Sequence, residues 1–275
     1  MRLALPLIAA MAFSGEAFAQ QAAAPAAPPA DPGPSAICAD RPTKSYAACT
    51  ADPGSFQLET DLFNGTFQRQ DGVTTDTWLY TNPTLKYGLT KTLDVEANIA
   101  PYVTVRTHDA SGSQTIDGVG DLYLRLKDQI YASADGTTQI ALVPYVKAPT
   151  ARMGIGNGAW EGGMAMPINL KLDDKWTLTL SPEVDAFKDS TGDGRHANTA
   201  QTINIGYSLP ADFTVYGELW SDWNFDPART INQASLDFGV AKLIGKTLQL
   251  DCGVNIGLND KTPGAQAYVG ISKKW

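Results

Sequence analysis

Charge is scarce in this chain and basic charge scarcer still: 18% of residues are charged, and 21 Lys and Arg stand against 29 Asp and Glu for a net charge of -8. No basic stripe occurs anywhere, which argues against nucleic acid as a partner. Histidine appears only as His108 and His196. Both fall in stretches read as outer loops, away from any strand, so a barrel hydrolase built on a wall-mounted base has little to work with. The three cysteines, Cys38, Cys49 and Cys252, have no second Cys or His at a zinc spacing, and neither a metal nor a cofactor site is expected. No window keeps apolar residues at i, i+3, i+4 and i+7, and prolines at 83, 101, 144, 167 and 182 would break helices there. Beyond the N-terminus no run of eighteen apolar residues exists, which excludes a transmembrane helix.

The first residues, "MRLALPLIAAMAFSGEAFAQ", carry one Arg, an apolar run from Leu3 to Phe13, and Ala17-Phe18-Ala19 before Gln20. This is the pattern of a cleaved secretory signal over 1–19. Residues 20–54 are an Ala- and Pro-rich periplasmic linker followed by a lead-in containing Cys38 and Cys49. Export permits a disulfide, and the two cysteines lie close in sequence, so they are expected to pair. Closing a loop of that size restricts the unfolded chain by about 3 kcal/mol. Cys252, in an apolar strand pattern, is expected to stay free and face lipid.

From residue 55 the signal is alternation. In "LDVEANIAPYVTV" Leu93, Val95, Ala97, Ile99, Pro101, Val103 and Val105 share one face, while Asp94, Glu96, Asn98 and Tyr102 share the other. "GDLYLRLKDQI", "QIALVPYVKA", "WTLTLSPEVDA" and "LQLDCGVNIGL" repeat it. Such stretches have the length a tilted strand needs to cross a bilayer, longer than strands in soluble sandwiches. Aromatics near strand ends (Trp78, Tyr80, Trp176, Trp220, Trp223, Trp275) suit interfacial girdles.

Connections alternate too. Tight links fall at 89–92, 132–137, 173–175, 209–212 and 244–247. Longer ones fall at "QDGVTTD", "HDASGSQTID", "TARMGIGNGAWEG", "KDSTGDGRHAN", "NFDPARTI" and "NDKTPG". Five turns and six loops require twelve strands. The expected fold is therefore all-β: a single 12-stranded antiparallel transmembrane β-barrel over 55–275, with short periplasmic turns and longer extracellular loops, in the bacterial outer membrane. Its polar face would line the lumen with Glu59, Asp61, Lys86, Glu96, Asp121, Arg125, Lys127, Lys147, Lys171, Glu183, Asp185, Glu218, Asp237 and Asp251. These charges either neutralise one another and plug the barrel or line a narrow polar path.

Two loop motifs carry less. "DSTGDG" sets Asp189, Thr191, Asp193 and Gly194 in the register of a calcium loop, but the bidentate Glu position is Ala200. "GIGNG" at 154–158 leads into a strand rather than a helix N-terminus, so it is read as a mobile outer loop, not a phosphate cradle.

The segments "CADRPTKSYAACT", "FQLETDLFN", "NPTLKYGLT", "GVGDLYLRLK", "PYVKAPTA", "GNGAWEGGMAMP" and "YVGISKKW" resemble the outer-membrane transporter family associated with phenol-degradation (meta-cleavage) gene clusters. The resemblance covers nearly all of 38–275. It implies a single barrel that passes small molecules, aromatic or apolar compounds among them, and it implies no catalytic residue. The alternatives are a structural or adhesion barrel with a plugged lumen and a barrel hydrolase. In "YVGISKKW", Val269, Ile271, Lys273 and Trp275 face lipid, while Tyr268, Gly270, Ser272 and Lys274 face inward. Trp275, with Gly270, reads as the signal recognised by barrel assembly machinery. The expected partners are outer-membrane lipid, that machinery and a small-molecule solute.

Overall fold

A computed structural model describes residues 35–275; the expected signal peptide and the start of the linker lie outside the described residues. Sixteen strand segments form one antiparallel sheet. They are β1 (Phe56–Gln70), β2 (Val73–Thr81), β3 (Thr84–Gly88), β4 (Leu93–Asn98), β5 (Tyr102–Asp109), β6 (Gly112–Gly118), β7 (Leu122–Ala132) and β8 (Thr138–Ala148). After these come β9 (Glu161–Ala165), β10 (Ile168–Lys171), β11 (Trp176–Lys188), β12 (Arg195–Leu209), β13 (Phe213–Asn224), β14 (Ile231–Ile244), β15 (Leu248–Gly257) and β16 (Ala265–Lys274). β16 pairs with β1 from Gln57 opposite Lys274 to Phe67 opposite Ala265, so the sheet closes on itself and no seam edge is left open.

Sixteen segments make twelve staves, because four staves are each broken once. β2 and β3 are split at Asn82-Pro83, β4 and β5 at 99–101, β6 and β7 at 119–121, and β9 and β10 at Met166-Pro167. The neighbouring stave pairs with both halves in turn: β1 with β2 and β3, β8 with β9 and β10. Three of these breaks contain the prolines that would otherwise remove ladder bonds. Pro182 lies inside β11, and its carbonyl accepts the Met166 N–H at 2.9 Å. The N–H it lacks therefore points at the break in the adjoining stave.

Two of the expected long loops are tight turns. Asp71 and Gly72 both adopt left-handed backbone (φ 51° and 80°), the requirement of a two-residue hairpin turn, so β1 and β2 run on to residues 70 and 73. Likewise β5 and β6 are joined only by 110–111, and Gly112 has φ 137°. The connections at 149–160, 189–194, 225–230 and 258–264 are the longer ones at that end, and the five short turns gather at the other.

The inside and outside faces follow the pleat. Asp94, Glu96 and Asn98 are buried, while Leu124, Leu126, Ile203, Ile205, Leu236, Phe238 and Ile256 are exposed outward. The pleat changes phase in two places. A bulge between Asp61 and Phe63 turns both Leu62 and Phe63 out. The break at 99–101 inverts β5, so Val103 is buried and Tyr102 exposed beside Tyr80, with ring centroids 5.5 Å apart. The expectation that Tyr102 shared a face with Asp94 and Glu96 is corrected there. Among the described residues no helix is long and apolar enough to cross a membrane.

Candidate functional site: a lumen occupied by the N-terminal segment

The described part of the expected periplasmic lead-in lies within the barrel. Cys38 and Cys49 are joined by a disulfide, and the loop they close is bonded to side chains on β1, β3, β7, β10 and β13 to β16. Three charged side chains hold it. Lys127 donates to Asp40 at 2.7 Å, and Lys86 also binds that carboxylate. Arg41 reaches Asp61 on β1 at 2.6 Å and Asp251 on β15 at 2.8 Å. Lys44 reaches Asp237 on β14 at 3.0 Å, and its backbone N–H donates to Glu218 on β13 at 2.8 Å. The loop's orphan backbone groups are satisfied by wall side chains. Ala48 N–H donates to Asn169, Ala51 N–H donates to Asp94, and the Cys38 and Ala48 carbonyls accept from Gln57 and Gln129. A polar loop can therefore be buried here because the pleat presents a polar face to it.

This arrangement explains why Lys86 and Lys127 tolerate nearly complete burial, at 1% and 0% exposure. Each lies against two or three carboxylates: Lys86 against Asp40, Glu59 and Glu96, Lys127 against Asp40 and Glu96. A buried charge is sustained only by such pairing. Burial pushes the Asp40 carboxyl up, but Lys127 and Lys86 outweigh it and hold it below the ordinary carboxylate range. Close backbone approach matters at Gly270, where a Cβ would sit 2.0 Å from the Arg41 guanidinium.

The remaining charges divide by height. Nearer the long-loop end Lys147 bridges Asp121 at 3.4 Å and Glu161 at 2.7 Å. Arg125 lies over the rings of Tyr46 and Tyr123 at 5.9 and 5.3 Å. Asp185 accepts from Tyr145 and Asn198, and Asn198 also donates to Asp222. Glu183 stands one pleat below Asp185 on β11. Lys171 is at the short-turn rim, half exposed and paired with exposed Asp174, and takes no part in the lumen.

Several participants escaped sequence reasoning. Asp40, Arg41 and Lys44 sit in a segment that reads as a solvated loop, and only the inner face of a closed barrel reveals their partners. Trp220 was assigned to an interfacial girdle; it faces inward, with the Lys44 ammonium 4.2 Å from its ring centre. Its neighbours two residues away, Glu218 and Asp222, carried the parity that could have shown this. Both histidines lie on strands, His108 on β5 and His196 on β12, because the strands outrun the expected membrane height. His196 is buried, with Nδ1 2.9 Å from Asp189 and 3.7 Å from Asp226. His108 is bonded only to Ser113 across the β5–β6 hairpin. Among the described residues no three His, Cys, Asp or Glu side chains are arranged to hold a metal ion.

Closure, twelve staves, an apolar outer face and a charged lumen filled by the chain's own N-terminal segment define a plugged β-barrel of the outer-membrane type. The sequence matches the family described as "Putative MetA-pathway of phenol degradation" over residues 39–275, and the chain belongs to that family. The fold is similar to that of an outer membrane channel from Pseudomonas putida F1, with TM-score 0.67 and 14% identity over 85% of this chain and 100% of that one. It is also similar to the beta domain of the Bordetella autotransporter BrkA, with TM-score 0.50 and 16% identity over 82% of this chain and 100% of that one. The NanC porin gives TM-score 0.50 and 11% identity over 79% of this chain and 100% of that one. No match was found among curated proteins.

Proposed function

We propose that this protein is a non-enzymatic outer-membrane channel for small molecules, aromatic or apolar compounds among them. The observation that carries the reading is the taper of the lumen. A cavity of about 840 Å³ bordered by His196, Asp226 and Arg229 opens at the long-loop end. Beside the N-terminal plug the space falls to two cavities of about 180 and 190 Å³, one along Lys86 and Arg125, the other along Asp61 and Tyr268. At about 30 Å³ per water, each holds on the order of six waters. A solute thus meets a wide vestibule and then a constriction set by residues 38–49. Membership of a family named for phenol degradation supports small aromatic solutes.

In this reading the short turns lie in the periplasm, residues 1–19 are removed on export, and lipid covers the outer face. Gly270, on the closing strand, and Trp275, directly after it, form the signal that the assembly machinery recognises. The ion pairs of the plug favour a second reading, a structural or adhesion barrel closed inside. Liposome swelling with sugars, amino acids and aromatic acids separates the two. The channel reading expects flux of at least one class above protein-free liposomes, and faster flux when Arg41→Ala loosens the plug. Absence of flux in both proteins leaves the closed barrel.

A further inference from the structure

Near the long-loop end the inner face of β11, β12 and β13 brings three carboxyl groups together without a cation. Glu183, Ala200 and Asp222 are aligned across the three staves, so a methyl group separates two carboxylates. Asp185 lies opposite Asn198 in the row above. In the row below, Thr202 stands between Ser181 and Trp220. Among the described residues none of Glu183, Asp185 and Asp222 has a cationic nitrogen within 4.0 Å, whereas Lys147 and Lys44 nearby pair with other carboxylates. Arg125, on β7, lies over the rings of Tyr46 and Tyr123.

A second observation is independent of the charges. Asn198 and Thr202, at 2% and 4% exposure, flank Ala200 on the same face of β12. Asn198 Oδ1 and Thr202 Oγ1 are buried without a hydrogen-bond partner. A buried acceptor left unmatched is costly, and here two of them stand beside three carboxyl groups that no cation touches. What is missing is a donor with positive charge.

We propose that this niche binds the ammonium group of a small organic amine. An ammonium supplies three N–H donors and a charge that spread oxygen acceptors can share. A metal ion needs ligands that converge on one point, and no such trio exists here. Trp220 forms the lower wall, its ring facing the Lys44 ammonium at 4.2 Å. Ala200 places only a methyl group between Glu183 and Asp222. The same carboxylates repel aromatic acids, so the vestibule sorts solutes by charge before they reach the plug. The inference rests on the channel reading for its role in transport, but the site itself is a binding property.

Titration calorimetry on the detergent-solubilised protein at neutral pH tests it with three probes of one shape: benzylamine, benzyl alcohol and benzoate. Benzylamine should bind at least tenfold more tightly than benzyl alcohol, and benzoate should bind most weakly. Glu183→Gln combined with Asp222→Asn should remove that preference without changing the response to benzyl alcohol. Ala200→Leu, which keeps every charge, should do the same by occupying the niche. Heat-dependent gel migration verifies that each variant is folded. Equal affinity of the wild type for benzylamine and benzyl alcohol overturns the proposal, as does a preference that survives in folded variants. Swelling assays with the same probes keep the two readings apart. Selective binding without flux retires the channel and keeps the site, while flux of all three without selective binding does the reverse.

Discussion

Two groups of carboxylates in the lumen are used in opposite ways. Toward the short-turn end Asp40, Glu59, Asp61, Glu96, Asp237 and Asp251 all lie against Lys or Arg, and two of the four cations and one of the six carboxylates come from residues 40–44. Toward the long-loop end Glu183, Asp185 and Asp222 face one another, with hydrogen bonds from Asn198 and Tyr145 but no cation in contact. The first set ties a segment in place. The second is left for something that arrives from outside. Identical side chains on one continuous sheet therefore differ in role according to whether a cation reaches them, from the N-terminal segment or from the wall itself as with Lys147.

The sharpest way to break this contrast is Arg41→Ala, which strands Asp61 and Asp251 as buried, unpaired charges. We expect a loss of about 3 to 5 kcal/mol, read as a lower urea midpoint in detergent. Adding Asp61→Asn and Asp251→Asn should recover part of it. Gly270→Val reaches the same residue from the other side, since its Cβ would collide with the Arg41 guanidinium. A cost of about 1 to 3 kcal/mol is expected, with the plug residues more open to protease. Glu183→Gln should cost no more than about 0.5 kcal/mol, because the residue has no ion pair to lose. If it destabilised as much as Arg41→Ala, the two groups would not differ.

The smallest effect concerns pH. The Asp40 carboxyl is held below its ordinary value of 3.8 in the folded protein, so its contribution is complete above that value and lost only as pH falls through the lower folded one. Amide exchange within residues 38–49, corrected for intrinsic rates, should thus show the same protection at pH 7 and pH 5.

Much of the wall was legible because a half-buried strand writes its two environments into alternate residues. The five short turns and the inward set on β4, β11 and β15 follow directly from that period. The phase change at 99–101 was not legible, since "IAPYVTV" keeps an apolar alternation through a break that the proline only hints at. Trp220 was misplaced by residue type, although its parity with Glu218 and Asp222 pointed inward. Asp71 and Gly72 illustrate the reverse: a DG pair signals a tight hairpin, and the polar residues around it were read as loop length instead. The plug lay beyond any local reading. Its charges are complementary to residues 20 to 210 positions away in sequence, such as Asp61 and Asp251 for Arg41.

That separation has a consequence for the order of events. The Tyr268 hydroxyl donates to the Pro42 carbonyl, and Asp251 and Asp237 take Arg41 and Lys44, so this early segment completes its set of partners only when β14 to β16 exist. The same β16 closes the sheet against β1, which begins a few residues beyond the plug. Sealing the barrel and capturing its contents are one step: the final strand shuts a vessel around the chain's own beginning.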